Sequence, residues 1–228
     1  MHHRFYLAQP LPIGEPITLA GEEFHHAARV VRVRVGEEVE IFDGRGVAAL
    51  GVIDALERDH ALITLRAHVS PRESAIAIQL AMAIIQLEKF ELVLQKATEL
   101  GVRTIIPLVT ERVELRPERY KGKADRWNKI VFEATKQCGR AIIPTIEAPA
   151  SFDDVLKRKG LKIVFEADTE ATPQPRNPAT LLIGPEGGWS EHELELAREH
   201  GCTFERLGPR RLRAETAAIV ACTRHGDI

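Results

Sequence analysis

Two segments near the end of this 228-residue chain hold the groups best suited to chemistry. In the first, Leu181-Leu182-Ile183 reads as a buried strand that runs into the tight loop Gly184-Pro185-Glu186-Gly187-Gly188. In the second, a strand end at Leu207 leads through Gly208-Pro209-Arg210-Arg211-Leu212-Arg213 to a helix from about Ala214, with Glu215 and Thr216 in its first turn. Strand-to-helix loops leave backbone N–H and C=O groups free at one edge of a sheet, where ligands bind in open α/β folds. A helix start also favours negative charge. Glu186 and Glu215 are candidate proton acceptors, Arg213 is a candidate for orienting a substrate, and Arg213, Arg112 or Arg140 is a candidate for stabilising charge that grows on it. Neither loop carries the Lys-Ser/Thr of a phosphate loop or the G-x-G-x-x-G of a dinucleotide fold, so the expected cofactor is small and polar and not a nucleoside polyphosphate. Taken singly, each segment fits a plain connection or a solvated acid at a helix start. Their pairing favours a site.

A second set of candidates is cationic. Lysine is absent from the first 70 residues, yet His25, His26, Arg29, Arg32 and Arg34 cluster there, with Arg4 nearby in sequence. A solvated face is the commoner reason for such a cluster. Arginine, however, makes forked hydrogen bonds to phosphate and stacks on bases, which favours a nucleic-acid edge. Arg112, Arg116, Arg119, Lys121, Lys123, Lys136 and Arg140 extend the expected surface. His192 and His200, eight residues apart on one expected helix, lack metal-ligand spacing and read as surface residues; no metal is expected. Trp127 and Trp189 read as packing residues.

The elements that must position these groups follow from periodicity. Glu38–Phe42, Val47–Asp54 and Ala61–Val69 look like strands, with Asp43-Gly44-Arg45-Gly46 as a hairpin loop. Short strands without long helices predict a small β-barrel over residues 1–70, bounded by the polar, proline-containing stretch Ser70–Ser74. From residue 74 to 228 strands and helices alternate. Ile76–Ile85, Arg103–Val109 and Leu161–Glu166 read as strands, Lys89–Leu100 and Ala124–Cys138 as amphipathic helices each followed by glycine. Ser151 caps a short helix, and Ser190 with Glu193 has capping-box spacing. This alternation predicts an α/β domain on a mostly parallel sheet. The proline-rich stretch Asp168–Pro178 reads as a loop inside it.

Composition sets limits. With 44% hydrophobic and 28% charged residues the chain can build a full core, and a net charge of -2 requires any nucleic-acid contact to be a local patch. Three well-separated cysteines point to reduced thiols and a cytoplasmic protein. No apolar run reaches the roughly 20 residues of a membrane span, and the first residues lack the apolar centre of a signal peptide.

In this order, the motifs resemble those of the SPOUT class of RNA methyltransferases. EEFHHAARVVRVRVGEEVEIFDGRG is similar to an N-terminal PUA-like RNA-binding barrel, and EKFELVLQKATELGVRTIIPLVTERVELR and EATKQCGRAIIPTI resemble catalytic-domain motifs. LLIGPEGGWSEHELE and LGPRRLRAETAA resemble the last two signature motifs. The nearer match is the family that methylates uracil N3 in small-subunit (16S) ribosomal RNA. One departure is local: Lys136-Gln137-Cys138 stands where glutamate-glutamine and often serine are expected. The resemblance implies a trefoil knot in the C-terminal domain, a homodimer, and S-adenosylmethionine (SAM) held by Gly184, Pro185, Glu186, Gly187 and by Leu207, Leu212, Arg213, Glu215 and Thr216, with Phe165 and Glu166 as a third wall. Alternatives are a SPOUT enzyme acting on a ribose 2′-hydroxyl or a tRNA base, and a non-catalytic RNA-binding ribosome assembly factor. The intact cofactor loops weigh against the latter.

Overall fold

The computed structural model describes residues 2–70, 72–113, 120–169 and 176–227. The chain divides into two compact units, Met1–Glu73 with Thr135–Ile143, and Ser74–Ala134 with Pro144–Ile228.

The first unit is a curled five-stranded sheet: β1 (His3–Tyr6), β2 (Pro16–Ala20), β3 (Glu38–Phe42), β4 (Ala48–Leu56) and β5 (His60–Val69), in the order β1-β3-β4-β5-β2. Between β2 and β3 lie a short helix, α1 (Gly21–His25), and a π-helical turn, His26–Val31. Period-two alternation places Ile17, Leu19, Ala61, Ile63 and Leu65 on a shared core with Phe5, Val39 and Ile41. Gly51 belongs to that packing, since a Cβ there would meet Ile63 Cγ2 at 2.7 Å. The expected hairpin joins β3 and β4, and Asp43 Oδ1 accepts the N–H groups of Arg45 and Val47. β1, β2 and the helical turns escape the sequence reading because each is too short to establish a period.

Segment Thr135–Ile143, which the sequence reading assigns to the domain beginning at residue 74, packs in this first unit. A helix ends with carbonyls that lack intrahelical partners. Here the Arg4 guanidinium donates to the carbonyls of Thr135, Lys136 and Arg140 at 2.9–3.2 Å. Glu73 accepts the N–H groups of Ala141 and Ile142, both at 2.8 Å.

The second unit contains β6 (Ile78–Ala83), α2 (Leu87–Glu99), β7 (Thr104–Val109), most of α3 (Ala124–Cys138), β8 (Thr145–Ile146), β9 (Ala150–Ser151), α4 (Phe152–Leu156), β10 (Leu161–Phe165), β11 (Ala179–Ile183), α5 (Glu191–Glu199), β12 (Thr203–Glu205) and α6 (Ala214–His225). All strand pairs here are parallel, in the order β12-β10-β11-β6-β7-β8, with β9 also pairing β7. The expected strands and helices are present to within a few residues. The strand predicted to end at Leu207 stops at Glu205, which leaves a longer loop before α6. β11 is buried along its whole length, as a central parallel strand must be. Both predicted caps form: Ser151 accepts the N–H of Asp154, and Ser190 with Glu193 completes a capping box.

Candidate active site

Because β10, β11 and β12 run parallel, their carboxyl ends emerge at one edge of the sheet. A cavity of about 340 Å³ opens there, within the size range of small-ligand sites. Three stretches line it. Phe165 ends β10 and Glu166 and Ala167 follow it; Ile183 ends β11 and Gly184, Pro185, Glu186, Gly188 and Trp189 follow it; Arg206, Leu207, Gly208 and Arg210–Arg213 come from the connection between β12 and α6, with Ala214 and Ala217 from α6 itself.

The β11 loop is fixed from several sides. Its turn closes through the Gly188 N–H donating to the Pro185 carbonyl at 2.9 Å, with Gly188 at φ +69°. Trp189 is buried, donates from Nε1 to the Phe165 carbonyl at 3.0 Å, and packs its ring against Phe152, tilted by 44° with centroids 4.8 Å apart. A Cβ at Gly184 would stand 3.1 Å from the Trp189 ring, so glycine is what lets the backbone approach the indole. Arg112 Nη1 donates to the Gly187 carbonyl at 3.0 Å, and Lys89 Nζ lies 3.3 Å from Glu186 Oε1. The second loop is tied at its start, where Arg224 donates to the carbonyls of Arg206 and Leu207. Beneath it, Glu205 and His225 form a fully buried pair at 3.1 Å, and the His225 ring meets Phe165 edge-on.

The walls are chemically mixed. Phe165, Ile183, Trp189, Leu207 and Leu212 offer apolar surface for a flat ring, and the loops offer backbone groups. α6 starts at Ala214, and its N-cap residue Arg213 gives no side-chain hydrogen bond to the first-turn N–H groups, which lack intrahelical partners. These features suit a molecule with an aromatic ring and a charged polar tail.

Residues 72–226 match the family model described as an RNA methyltransferase domain, and residues 19–66 match the RNA methyltransferase PUA domain. The chain belongs to the RNA methyltransferase family. It is 33% identical to the ribosomal RNA small subunit methyltransferase E of Buchnera aphidicola from Schizaphis graminum, over 96% of this chain and 94% of the relative. Its structure is similar to that of a methyltransferase from Legionella pneumophila in complex with the bound cofactor SAM (TM-score 0.86, 33% identity, 100% of both chains). It is also similar to the ribosomal RNA small subunit methyltransferase E from Neisseria gonorrhoeae bound to SAM (TM-score 0.85, 30% identity, 97% and 95% covered).

In this family member, the sequence-derived cofactor set is only partly gathered at the cavity. Phe165, Glu166, Gly184, Pro185, Glu186, Leu207, Leu212 and Arg213 line it; Gly187, Glu215 and Thr216 do not. Gly187 instead meets Arg112. Glu215 has a buried Oε2 without a hydrogen-bond partner among the described residues, and Thr216 is exposed. Arg206 and Trp189 line the cavity without having been expected there, and Arg210 and Arg211 line it inside the expected stretch 207–216. The arginine-rich run Gly208–Arg213 was the available signal, but only the fold shows which way it faces.

The residues expected to contact RNA lie in different surroundings. The Arg4 side chain is 9% exposed and pairs with Glu40 at 2.9 Å; Arg140 is 3% exposed and pairs with Glu73 at 3.0 Å; Lys136 is 13% exposed and pairs with Glu23 at 2.7 Å. Each of these charges is paired with a carboxylate of the first unit. His26 is half-buried and meets Phe5 edge-on. His25, Arg29, Arg32 and Arg34 are exposed, with Arg32 in a left-handed backbone conformation (φ 60°) where the π-helical turn ends. Arg112 and Lys121 are exposed and Lys123 is half-buried, whereas Arg116 and Arg119 lie outside the described residues. His192 is exposed and bonded to Glu111 at 2.8 Å. Among the described residues no group of three or more His, Cys, Asp or Glu is placed to hold a metal, and no helix is long and apolar enough to cross a membrane.

Proposed function

We propose that this protein transfers the methyl group of SAM to N3 of a uridine in small-subunit (16S) ribosomal RNA. The observation that carries the reading is the cavity at the β10–β12 edge, built from the two C-terminal signature loops, in a chain with a PUA domain match and SAM-bound structural relatives. When bound, SAM supplies an electrophilic methyl carbon on its sulfonium. Phe165, Trp189 and Leu207 would hold its apolar part, and the backbone around Gly184 and Leu212 its polar part.

The protein's remaining task concerns the acceptor. Uracil N3 is a weakly acidic imide that must lose its proton for the lone pair to attack. Arg213, exposed at the cavity and at the N-cap of α6, orients the base and stabilises negative charge growing on the flanking carbonyl oxygens. Glu186 lines the cavity and takes the N3 proton directly or through a water, with Lys89 holding its carboxylate. Glu215 lies outside the lining and serves the helix start instead. The base must leave its stack to reach the cavity, which favours structured RNA over a free nucleoside.

The test is methyl transfer from labelled SAM to small subunits from cells lacking the activity, followed by nucleoside identification. Label in 3-methyluridine supports the reading; label in a 2′-O-methyl nucleoside, or none, overturns it. Folded Arg213→Ala should lose about 100-fold or more in kcat, the scale of one lost charge-stabilising donor.

The cytoplasm, where ribosomal RNA is assembled in bacteria, is the compartment this reading requires. We also propose the trefoil knot and the homodimer. Non-sequential parallel strand order supports the knot: α6, which follows the edge strand β12, returns to lie on α2, β6 and β11. Half-buried Ile219 and Val220 on α6 are surface that a second copy would cover, while Ala218, Ala221 and Cys222 fill the unit's own core. Sedimentation at twice the chain mass supports the dimer, and sedimentation at the chain mass overturns it.

A further inference from the structure

The connection between β12 and α6 places four arginines, Arg206, Arg210, Arg211 and Arg213, on the cavity lining, and all four are exposed. Among the described residues none of the four guanidinium groups has a hydrogen-bond or ion-pair partner. Such a concentration is unusual on a chain whose net charge is -2. It is also not balanced inside the cavity. Among the described residues two carboxylates line it: Glu186 faces Lys89, and Glu166 accepts the N–H groups of Ala167 and Asp168.

The charge of the cofactor makes this arrangement informative. SAM carries a sulfonium and an ammonium against one carboxylate, a net positive charge. Four unpaired arginines repel that cation, and its single carboxylate needs at most one of them. The other charges require a polyanion that arrives at the same opening. A guanidinium forks onto phosphate oxygens, and a site facing a single strand gains from counterion release.

We infer that Arg206, Arg210 and Arg211 form a phosphate-binding rim that grips the RNA backbone on either side of the nucleotide being methylated, leaving Arg213 for the base. The rim rests on the methyltransferase reading and deepens it. It sits on the catalytic unit itself, separate in sequence from the exposed Arg29, Arg32 and Arg34 of the first unit. It couples binding to reaction: the loop that wraps the cofactor is the loop that seizes the substrate backbone.

The test is the Arg210→Gln/Arg211→Gln double variant, with Arg206→Gln as an independent second variant. Circular dichroism and a thermal melt check folding. Three quantities are measured: affinity for a labelled single-stranded oligouridylate across a salt series, affinity for SAM by calorimetry, and methyl transfer to small subunits. Loss of two phosphate contacts should lower the slope of log K against log salt by about 1.4, which at about 0.1 M salt weakens RNA binding about 25-fold. SAM affinity should stay the same or rise, because a repulsion is removed. A purely structural role would weaken both ligands together. An unchanged salt slope overturns the rim, and so does weakened SAM binding with RNA binding intact, which assigns the arginines to the cofactor carboxylate. The wild-type protein keeps the two readings apart. If it fails to methylate small subunits, the proposed reaction falls; if it methylates them and the variant keeps the wild-type slope, only the rim falls.

Discussion

At the scale of single residues, partner and burial decide what a charge does. Arg4 and Arg29 are the same residue type a short distance apart in sequence. One is 9% exposed, bonded to Glu40 and three helix-end carbonyls, and the other is open to solvent. Glu205 is fully buried against His225, and removing one member of a buried pair strands the other. Glu205→Ala should therefore cost about 1–3 kcal/mol in chemical denaturation, the scale of a buried polar group left without its partner; a variant as stable as wild type would show that the pair contributes nothing. The exposed His192–Glu111 pair makes a different prediction. The Glu111 side chain bonded to its ring lifts the His192 imidazole above its ordinary 6.5, while the Ser190 hydroxyl first and His192 second hold Glu111 below its ordinary 4.5. The histidine's contribution to stability is present below its unfolded value and lost as pH rises through the raised one. The carboxylate's contribution is present above 4.5 and lost as pH falls through the lowered value. Proton NMR should find His192 titrating above 6.5, and Glu111→Gln should bring it back down; an unaltered midpoint in that variant would remove the coupling.

At the scale of elements, local signals were the most readable. α3 was delimited over Ala124–Cys138 by its apolar stripe and the following glycine, and β3 over Glu38–Phe42 by its hairpin loop. The Ser190–Glu193 box fixes the start of α5 directly behind the Gly184–Gly188 loop. Ser190→Ala should cost about 1 kcal/mol of stability. Because it frays the helix that backs the loop, SAM affinity should fall with it; unchanged affinity would show that the loop holds its shape without the cap. β1 and β2 were not readable, since four or five residues pair with strands distant in sequence and carry no period of their own.

At the scale of the whole molecule, the second unit should report its ligand through its core. Cys222 on α6 is fully buried, and burial pushes its thiol up to about 12. It reacts only when that unit opens. SAM at about 100 times its Kd stabilises the bound form by about 2.7 kcal/mol and should slow Cys222 alkylation about 100-fold. Mass spectrometry of the labelled peptide provides the measurement. A rate indifferent to SAM would mean that the cofactor does not bind the folded second unit.

The sequence by itself determined the alternation of strands and helices after residue 74, the two glycine-bearing loops and their chemistry, and the caps. Each of these depends on residues within a turn or two of one another. The tertiary structure alone decided three further matters. It moved Thr135–Ile143 into the first unit, because the carbonyls ending α3 are satisfied by Arg4 and the N–H groups beyond them by Glu73. It paired Arg4, Lys136 and Arg140 with Glu40, Glu23 and Glu73. It turned Arg206, Arg210 and Arg211 toward the cavity while leaving Glu215 outside it. The physical reason is common to all three: a long charged side chain is defined by what lies within a few ångströms of its end. Parallel pairing of distant strands sets those neighbours, and the order of residues along the chain does not.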